Sequence, residues 1–161
     1  MPPDDLAFVA LGSNLRDSEE ILCRATERLQ SLSAAPLLRS RVVKTMPVDC
    51  PPGSPPFLNA VVGLTPLPGE TPQSLFGRLR EIEILLGRQP KKILNEPRVL
   101  DLDLIAFGSQ VLTLPELVLP HPRAHLRRFV LEPLREIAPD FILPGQRKTV
   151  RELLLSLPAT E

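Results

Sequence analysis

Two aspartates alternate within one short apolar segment, Pro97-Arg-Val-Leu-Asp-Leu-Asp-Leu-Ile. In a β-strand, Asp101 and Asp103 would point to the same face, about 6–7 Å apart. The other residues on both faces are apolar, as in a central strand that is covered on both sides. Because neighbouring carboxylates repel each other and lose hydration on burial, a cation is expected opposite them. Carboxylate oxygens suit a hard divalent ion, so the segment predicts metal-assisted chemistry.

A group of basic residues precedes this segment: Arg88, Lys91, Lys92 and Arg98. Metal-binding carboxylates beside cationic side chains suit a polyphosphate, since the metal neutralises phosphate oxygens and arginine holds the group being transferred. Taken separately, the basic loop would be a solvated surface turn, and the two aspartates would belong to a solvated edge strand. The chain has neither G-x-x-x-x-G-K-[ST] nor G-x-G-x-x-G, which argues against a P-loop enzyme and a dinucleotide binder.

Two further residues are candidates for the same site. Glu83 lies at the edge of the apolar stripe of a predicted helix, where it faces either the same cavity or solvent. His121 stands between Pro120 and Pro122, which restrict its backbone. A histidine held in this way can donate to a phosphate, and the alternative is a structural loop contact. Arg127 adds positive charge nearby.

An amide and two aromatic rings form another candidate group. Phe57, Asn59 and Val61 share one face of a predicted strand. Asn59 offers both a donor and an acceptor to the edge of a heterocycle, and its alternative role is a core amide satisfied by the backbone. Phe57, together with Phe129 elsewhere in the chain, is suited to stacking on a flat ring.

Size and composition limit the classes of protein to which the chain can belong. Its 161 residues suit one domain, and 43% hydrophobic and 24% charged residues are ordinary for a soluble globular protein. Lys and Arg (19) balance Asp and Glu (19), so no global field attracts nucleic acid or anionic lipid. No apolar run approaches membrane-spanning length, and the N-terminus lacks the basic flank of a signal peptide. A cytoplasmic location is expected.

Hydrophobic periodicity and turn residues predict six main elements in the order strand, helix, strand, strand, helix, strand. They are a strand over residues 6–11 closed by a tight turn at Gly12-Ser13-Asn14, a helix from Asp17 to about Leu32, strands over residues 37–44 and 57–64, a helix from Pro72 to Gly87 and a strand over about residues 98–107. Capping-box patterns are present at Asp17 with Glu20 and at Thr149 with Glu152.

This order predicts an α+β fold, a ferredoxin-like βαββαβ antiparallel sheet with two helices on one face. Additional C-terminal helices, over residues 128–137 (broken) and 150–155, and short strands would cover the other face of the sheet. That cover would explain why the second face of the Asp101 strand is also apolar. The fold alone does not give the function.

Five motifs occur in the order in which one known family carries them. They are Gly12-Ser13-Asn14-Leu15, Phe57-Leu58-Asn59-Ala60, Pro97-Arg98 with Asp101-Leu102-Asp103, His121-Pro122-Arg123, and Arg128-Phe129-Val130-Leu131 with Pro133-Leu134. Through them the chain resembles the 6-hydroxymethyl-7,8-dihydropterin pyrophosphokinase family of the folate pathway over nearly its whole length. The D-x-D pattern is weak by itself, whereas the ordered set is specific.

The resemblance implies transfer of the β,γ-diphosphate of ATP to the hydroxymethyl oxygen of the pterin, with release of AMP. It implies that Asp101 and Asp103 are catalytic and ligate two Mg²⁺ ions that bridge the triphosphate. It further implies that Arg88 and Arg98 hold the group being transferred. Nucleotide contacts are implied for Glu83, Lys91, His121 and Arg127.

The pterin contacts implied by the resemblance involve two segments. Phe57 and Phe129 would stack on the two faces of the ring, and Asn59 would read its polar edge. The region of Thr45 and Val48 would contribute to the same edge, with Asp101 near the acceptor hydroxyl.

A single domain over residues 1–161 and a monomer are expected. The expected partners are ATP and a dihydropterin, and no binding to nucleic acid or to a membrane is expected.

Three departures from the usual family pattern leave two alternatives open. Glu96 stands where a glycine is usual, Asn95 and Pro90 replace a common aromatic and a common basic residue, and Thr45-Met46-Pro47 replaces a common Thr-Pro-Pro, so a different closure of the loop over the nucleotide is expected. One alternative is a ferredoxin-like module that binds RNA or a regulatory ligand without chemistry, although the balanced charge argues against RNA. The other is a family member that binds ATP but turns over slowly.

Overall fold

A five-stranded antiparallel sheet lies at the centre of the computed structural model, which describes residues 5–14, 17–46, 52–53, 55–87 and 100–158. The strands are β1 (Ala7–Ser13), β2 (Leu38–Arg39), β3 (Val43–Thr45), β4 (Phe57–Leu64) and β5 (Asp101–Phe107), and β6 (Leu112–Thr113) and β7 (Val118–Leu119) form a separate hairpin. The helices are α1 (Ser18–Gln30), α2 (Pro72–Leu85), α3 (Arg128–Ile137) and α4 (Val150–Ser156), with a short 3-10 helix at Ala124–Leu126.

The strand order is β2-β4-β1-β5, and β3 also pairs with β4. Each of these pairings is antiparallel, so the predicted antiparallel sheet and the predicted order of the main elements are confirmed. Strand β1 is central and pairs along its length with both β4 and β5. Within the described part of the chain, β5 forms one edge of the sheet.

Apolar side chains from alternate strand positions fill two separate cores, one on each face of the sheet. Helices α1 and α2 pack on the first face with residues that include Leu22, Leu29, Leu75, Leu79, Leu102 and Leu104. Helices α3 and α4 pack on the second face with residues that include Phe8, Val61, Ile105, Leu131, Leu134 and Leu153. The prediction that the C-terminal helices cover the second face is therefore confirmed.

The predicted single strand over residues 37–44 is wrong, because the chain forms two short strands with a bulge between them. From Arg39 to Val43 the chain advances four residues, while the paired residues on β4 change by three, from Val62 to Asn59. One extra residue is therefore inserted. Ser40 fixes the bulge: its N–H donates to the Val61 carbonyl at 3.0 Å, and its Oγ accepts from the Val61 N–H at 2.9 Å.

Two predictions for the N-terminal region are also wrong. A tight turn was expected to begin at Gly12, but Gly12 and Ser13 belong to β1 and pair with β4. Asp17 is the N-cap residue of α1, but its side chain makes no capping hydrogen bond, with φ −99° and ψ 27° instead of extended backbone. The helix ends at Gln30, two residues before Leu32.

The ends of α2 and α4 follow the sequence closely. Thr71 caps α2 with Pro72 at the first helical position, and Gly87 beyond its end has a φ of 101°. The predicted capping box of α4 is formed by Thr149 and Glu152. Helix α3 has the predicted bounds, but the predicted break is wrong, because the helix is continuous through Pro133. No helix in the described ranges is both long enough and apolar enough to cross a membrane.

Candidate active site

The two aspartates occupy the start of β5 on the second face of the sheet. Leu102 and Leu104 point into the core of α1 and α2, and Ile105 packs in the core of α3 and α4. Asp101 and Asp103 alternate with the two leucines and are half-buried. The predicted alternation is confirmed. The predicted central position of this strand is wrong, because β5 forms an edge of the sheet within the described residues. The edge position agrees with one part of the alternative, but the carboxylates are only partly exposed to solvent.

Glu83 ties α2 to this acidic strand. Its side chain is 1% exposed, and its Oε2 accepts a 2.7 Å hydrogen bond from the backbone N–H of Leu102, between the two aspartates. Its Oε1 accepts from Arg80 Nη1 at 2.7 Å. Because an outward-facing N–H of an edge strand lacks a strand partner, a buried carboxylate that accepts from it fixes the strand to the helix. The alternative of a solvent-facing Glu83 is wrong.

The amide and aromatic group lies across β1 from the aspartates. Gly12 is the β1 partner of Asp101, and Asn59 is the β4 partner of Gly12. Asn59 Nδ2 donates to Thr45 Oγ1 at 3.4 Å, and Thr45 is paired with Phe57. The structure therefore places Thr45, Phe57 and Asn59 together at the end of the sheet where β5 begins.

His121 lies beside the acidic strand because its backbone N–H donates to the Ile105 carbonyl at 2.8 Å. Its Nδ1 accepts from the backbone N–H of Arg123 at 3.2 Å, an arrangement that leaves the proton of a neutral ring on Nε2. Burial lowers the pKa of His121 from 6.5, and although Asp103 opposes the change, Arg127 and Arg123 add to it. The ring is therefore neutral near pH 7 and is a donor through Nε2.

Arg127 and Phe129 lie at the start of α3 and contact each other. The Arg127 guanidinium carbon is 5.4 Å from the centroid of the Phe129 ring, within the range of a cation–π contact. Phe129 is partly buried against the core of the second face. Since α3 packs on β4, this places a basic group and a ring on the same side of the sheet as Asn59.

Four predicted site residues lie outside the described residues: Val48, Arg88, Lys91 and Arg98. The predicted roles of the basic residues therefore stay predictions. The same holds for the departures from the family pattern at Pro90, Asn95 and Glu96, which also lie outside the described residues. The residues that the structure does place are Thr45, Phe57, Asn59, Glu83, Asp101, Asp103, His121, Arg127 and Phe129.

The described carboxylates are of the type that magnesium prefers, but they are too few to complete its coordination shell. Asp101 and Asp103 supply carboxylate oxygens from one face of a strand, the ligand type that a hard dication prefers. Within the described ranges, no group of three or more His, Cys, Asp and Glu side chains is arranged to hold a metal. Magnesium commonly binds one or two carboxylates and completes its shell with water and substrate phosphates, so the pair fits a metal that arrives with a nucleotide.

Three residues near this site have no role predicted from the sequence: Arg80, and Gly12 and Arg123, which the sequence indicates only as members of motifs. An apolar run that ends in glycine gives no signal to separate a turn at Gly12 from a continuing strand. Arg80 precedes Glu83 by three residues on a helix, a spacing that would have indicated an ion pair. Arg123 contacts His121 through its backbone, which its residue type does not reveal.

Known proteins share both the sequence pattern and the fold. Residues 8–139 match the family described as 7,8-dihydro-6-hydroxymethylpterin-pyrophosphokinase (HPPK). The 2-amino-4-hydroxy-6-hydroxymethyldihydropteridine pyrophosphokinase of Pseudomonas aeruginosa is 38% identical over 154 residues, which cover 94% of this chain and 91% of that protein. The enzyme of the same name from Haemophilus influenzae is 36% identical over 143 residues, covering 88% and 86%.

A solved structure supports the fold independently of sequence identity. The crystal structure of Plasmodium falciparum HPPK-DHPS with pteroate superposes with a TM-score of 0.72 at 14% sequence identity, covering 93% of this chain. This chain spans 42% of that longer chain, so the likeness concerns the architecture alone. The match over residues 8–139 and the relatives that are similar along nearly their whole length lead to one conclusion: the chain belongs to the 7,8-dihydro-6-hydroxymethylpterin-pyrophosphokinase family.

Proposed function

We propose that the chain transfers the β,γ-diphosphate of ATP to the hydroxymethyl group of 6-hydroxymethyl-7,8-dihydropterin in folate biosynthesis. The hydroxymethyl oxygen bonds to the β-phosphorus, the bond from that phosphorus to the oxygen retained by AMP breaks, and the hydroxyl proton is released. The observation that carries the proposal is the acid pair of β5 facing the Asn59 group across β1, in a chain of this family.

Asp101 and Asp103 would hold two Mg²⁺ ions together with the triphosphate of ATP. When bound, the ions neutralise phosphate charge and help to align the reacting groups. His121 would donate from Nε2 to a phosphate oxygen, and its neighbour Arg127 would supply charge for the same nucleotide. Arg88, Lys91 and Arg98 are proposed to contact the phosphates from the basic loop.

The pterin would lie between the acid pair and the amide. Asn59 and Thr45 are linked by a hydrogen bond and offer donors and acceptors to its polar edge, while Phe57 and Phe129 offer ring faces for stacking. Val48, which follows β3 in the chain and lies outside the described residues, is proposed to contribute as well. Positioning and charge neutralisation would supply much of the acceleration, since phosphoryl transfer asks for little covalent catalysis from the protein.

The proposal also covers the arrangement of the sheet, the partners of the protein and its oligomeric state. The strand order and the packing of α1 and α2 on the first face support a ferredoxin-like arrangement of the sheet and its two helices, with α3, α4 and the β6–β7 hairpin as additions. Membership of the family supports ATP and a dihydropterin as partners, and the balanced charges argue against nucleic acid. We propose that residues 1–161 form one domain and that the protein is a cytoplasmic monomer. Size-exclusion chromatography with light scattering tests the oligomeric state.

The reaction is tested by mixing the protein with ATP, Mg²⁺ and 6-hydroxymethyl-7,8-dihydropterin. The expected products are AMP and the pterin diphosphate in equal amounts, and omission of either Mg²⁺ or the pterin should prevent both. Binding of ATP without product would support the slow family member, and pterin binding that is independent of metal and nucleotide would support the binding module. Either of those two results would contradict the proposal.

A further inference from the structure

The central strand β1 carries a residue without a side chain, Gly12, in the middle of the site. Asp101 on β5, Gly12 on β1 and Asn59 on β4 are consecutive register partners, so they stand side by side across three strands. In the next row, Ala10 stands between Asp103 and Val61. Strand β1 therefore places only a hydrogen between Asp101 and Asn59, and only a methyl group between Asp103 and Val61.

Space, and not backbone conformation, explains the glycine at position 12. Gly69 and Gly145 have φ values of 84° and 85°, which favour glycine, whereas Gly12 belongs to a regular strand and pairs on both sides. A Cβ built on Gly12 would lie 3.1 Å from Asn59 Oδ1 and 3.9 Å from the Leu58 carbonyl oxygen. A side chain at position 12 would therefore meet the amide that is proposed to read the pterin.

We infer that Gly12 is a specificity-determining residue of the pterin subsite, where its missing side chain leaves room for the edge of the ring between Asp101 and Asn59. This inference rests on the proposed function. Neighbouring strands are about 4.8 Å apart, so Asp101 and Asn59 lie roughly 10 Å apart across β1. A flat ring that contacts the amide at one end and presents its hydroxymethyl group near the acid pair at the other must cross position 12.

A methyl group at position 12 would act in two ways. It would occupy the space next to the edge of the ring, and it would press on Asn59 Oδ1, while Nδ2 of the same amide donates to Thr45 Oγ1 at 3.4 Å. Both effects fall on the pterin, because the proposed phosphate contacts of His121 and Arg127 lie on other elements. An extra methyl group in a close-fitting pocket changes selectivity by about 10- to 200-fold.

The test is the Gly12→Ala variant, assayed beside Gly63→Ala as a matched control. Gly63 is a strand glycine of the same sheet whose added Cβ would meet Phe8 Cε1 at 3.2 Å, away from the site. For Gly12→Ala we expect the pterin KM to rise at least about tenfold, with the affinity for a non-hydrolysable ATP analogue within about twofold of wild type. For Gly63→Ala we expect a lower Tm and an unchanged pterin KM.

A second variant separates the two effects and relieves the contact if Gly12→Ala folds poorly. In an Asn59→Ala background the amide oxygen is gone, so adding Gly12→Ala should raise the pterin KM by a smaller factor than it does in the wild type. An equal or larger factor would overturn the contact with the amide.

Two results would overturn the role of Gly12 itself. One is an unchanged pterin KM in Gly12→Ala. The other is an equal loss of both substrates together with a Tm decrease like that of Gly63→Ala, which would mark a structural role. Failure of the proposed function would look different, because the wild-type protein would then form neither AMP nor pterin diphosphate.

Discussion

Single side chains set the charge of the site. Asp103 and His121 come from β5 and from the loop after β7, and the hydrogen bond from His121 N–H to the Ile105 carbonyl keeps them close. The Asp103 charge favours protonation of the imidazole, but burial, Arg127 and Arg123 outweigh it, so the pKa of His121 is lowered. The free site thus combines two carboxylates with a neutral histidine, a combination suited to a metal-bound polyanion.

Asp103 should be indispensable to turnover while being dispensable to folding. The Asp103→Asn variant keeps the shape of the side chain and removes its charge, so the Mg²⁺–nucleotide complex would lose a ligand. We expect the rate of AMP formation to fall by more than about 100-fold, since even indirect supports of metal sites are worth 10- to 100-fold. The circular dichroism spectrum should match that of wild type. Near-normal AMP production would refute the assignment of the metal pair.

The lowered pKa of His121 gives a signed pH dependence of stability. In the unfolded chain His121 binds a proton as the pH falls through about 6.5, whereas in the folded chain it binds one only at lower pH. The stability that depends on the neutral ring is therefore fully present above 6.5 and is lost as the pH falls below it.

Urea unfolding of the ligand-free protein at about pH 7.5 and about pH 5.5 measures this effect. Wild type should lose more stability than His121→Gln between the two conditions, because glutamine does not titrate. The same loss in both proteins would contradict the lowered pKa.

At the scale of elements, a bulge and an edge contact position the site. Without the extra residue between Ser40 and Val43, β3 would pair one residue out of register and its side chains would point to the opposite face. The bulge is therefore what turns Thr45 toward Asn59 and Phe57. At the other edge, Glu83 satisfies the N–H of Leu102 and holds the strand that carries both aspartates.

The contact between α2 and β5 should contribute to both stability and nucleotide binding. Glu83→Ala leaves the Leu102 N–H buried without its carboxylate acceptor and removes the partner of Arg80, so we expect the free energy of unfolding to fall by about 1–3 kcal/mol. Glu83→Gln retains an acceptor oxygen and should fall by less. Urea denaturation and titration with an ATP analogue in Mg²⁺ measure both effects. Equal stability of the alanine variant and wild type would contradict this role.

At the scale of the whole molecule, the two cores of the described residues leave the site residues at one end of the sheet partly exposed. The first face is covered by α1 and α2, and the second by α3 and α4. The half-buried aspartates, Asn59 and Phe57 lie together at the start of β5. The folded sheet thus brings together residues 57–59 and 101–103, which are far apart in the chain, and ligands that bridge them should stabilise the whole fold.

Bound nucleotide should therefore raise the stability of the protein in a metal-dependent way. A non-hydrolysable ATP analogue at 100 times its Kd in Mg²⁺ is expected to add about 2.7 kcal/mol, or roughly 5–10 °C in Tm for a protein of this size. Chelation of the metal, or the pair Asp101→Asn and Asp103→Asn, should remove most of the shift. Asp140→Asn is a matched control, since Asp140 pairs with Arg151 at the surface. A shift that survives chelation would argue against a metal-bridged nucleotide.

What the sequence determined by itself is local. The alternation of Asp101 and Asp103 with leucines, the bounds of α3, and the caps of α2 and α4 depend on periodicity and on hydrogen bonds within a few residues, so they could be predicted from the chain alone. The order of motifs likewise identified the family without any coordinates.

Tertiary structure decided the rest, because those features depend on partners distant in sequence. The bulge at Ser40 exists through its bonds to Val61, and β1 continues through Gly12 because β4 and β5 pair with it on both sides. Glu83 is buried where its carboxylate accepts from the backbone N–H of Leu102 at the edge of the sheet. A local pattern shows which face a side chain takes, and only the pairing of strands fixes what stands opposite it.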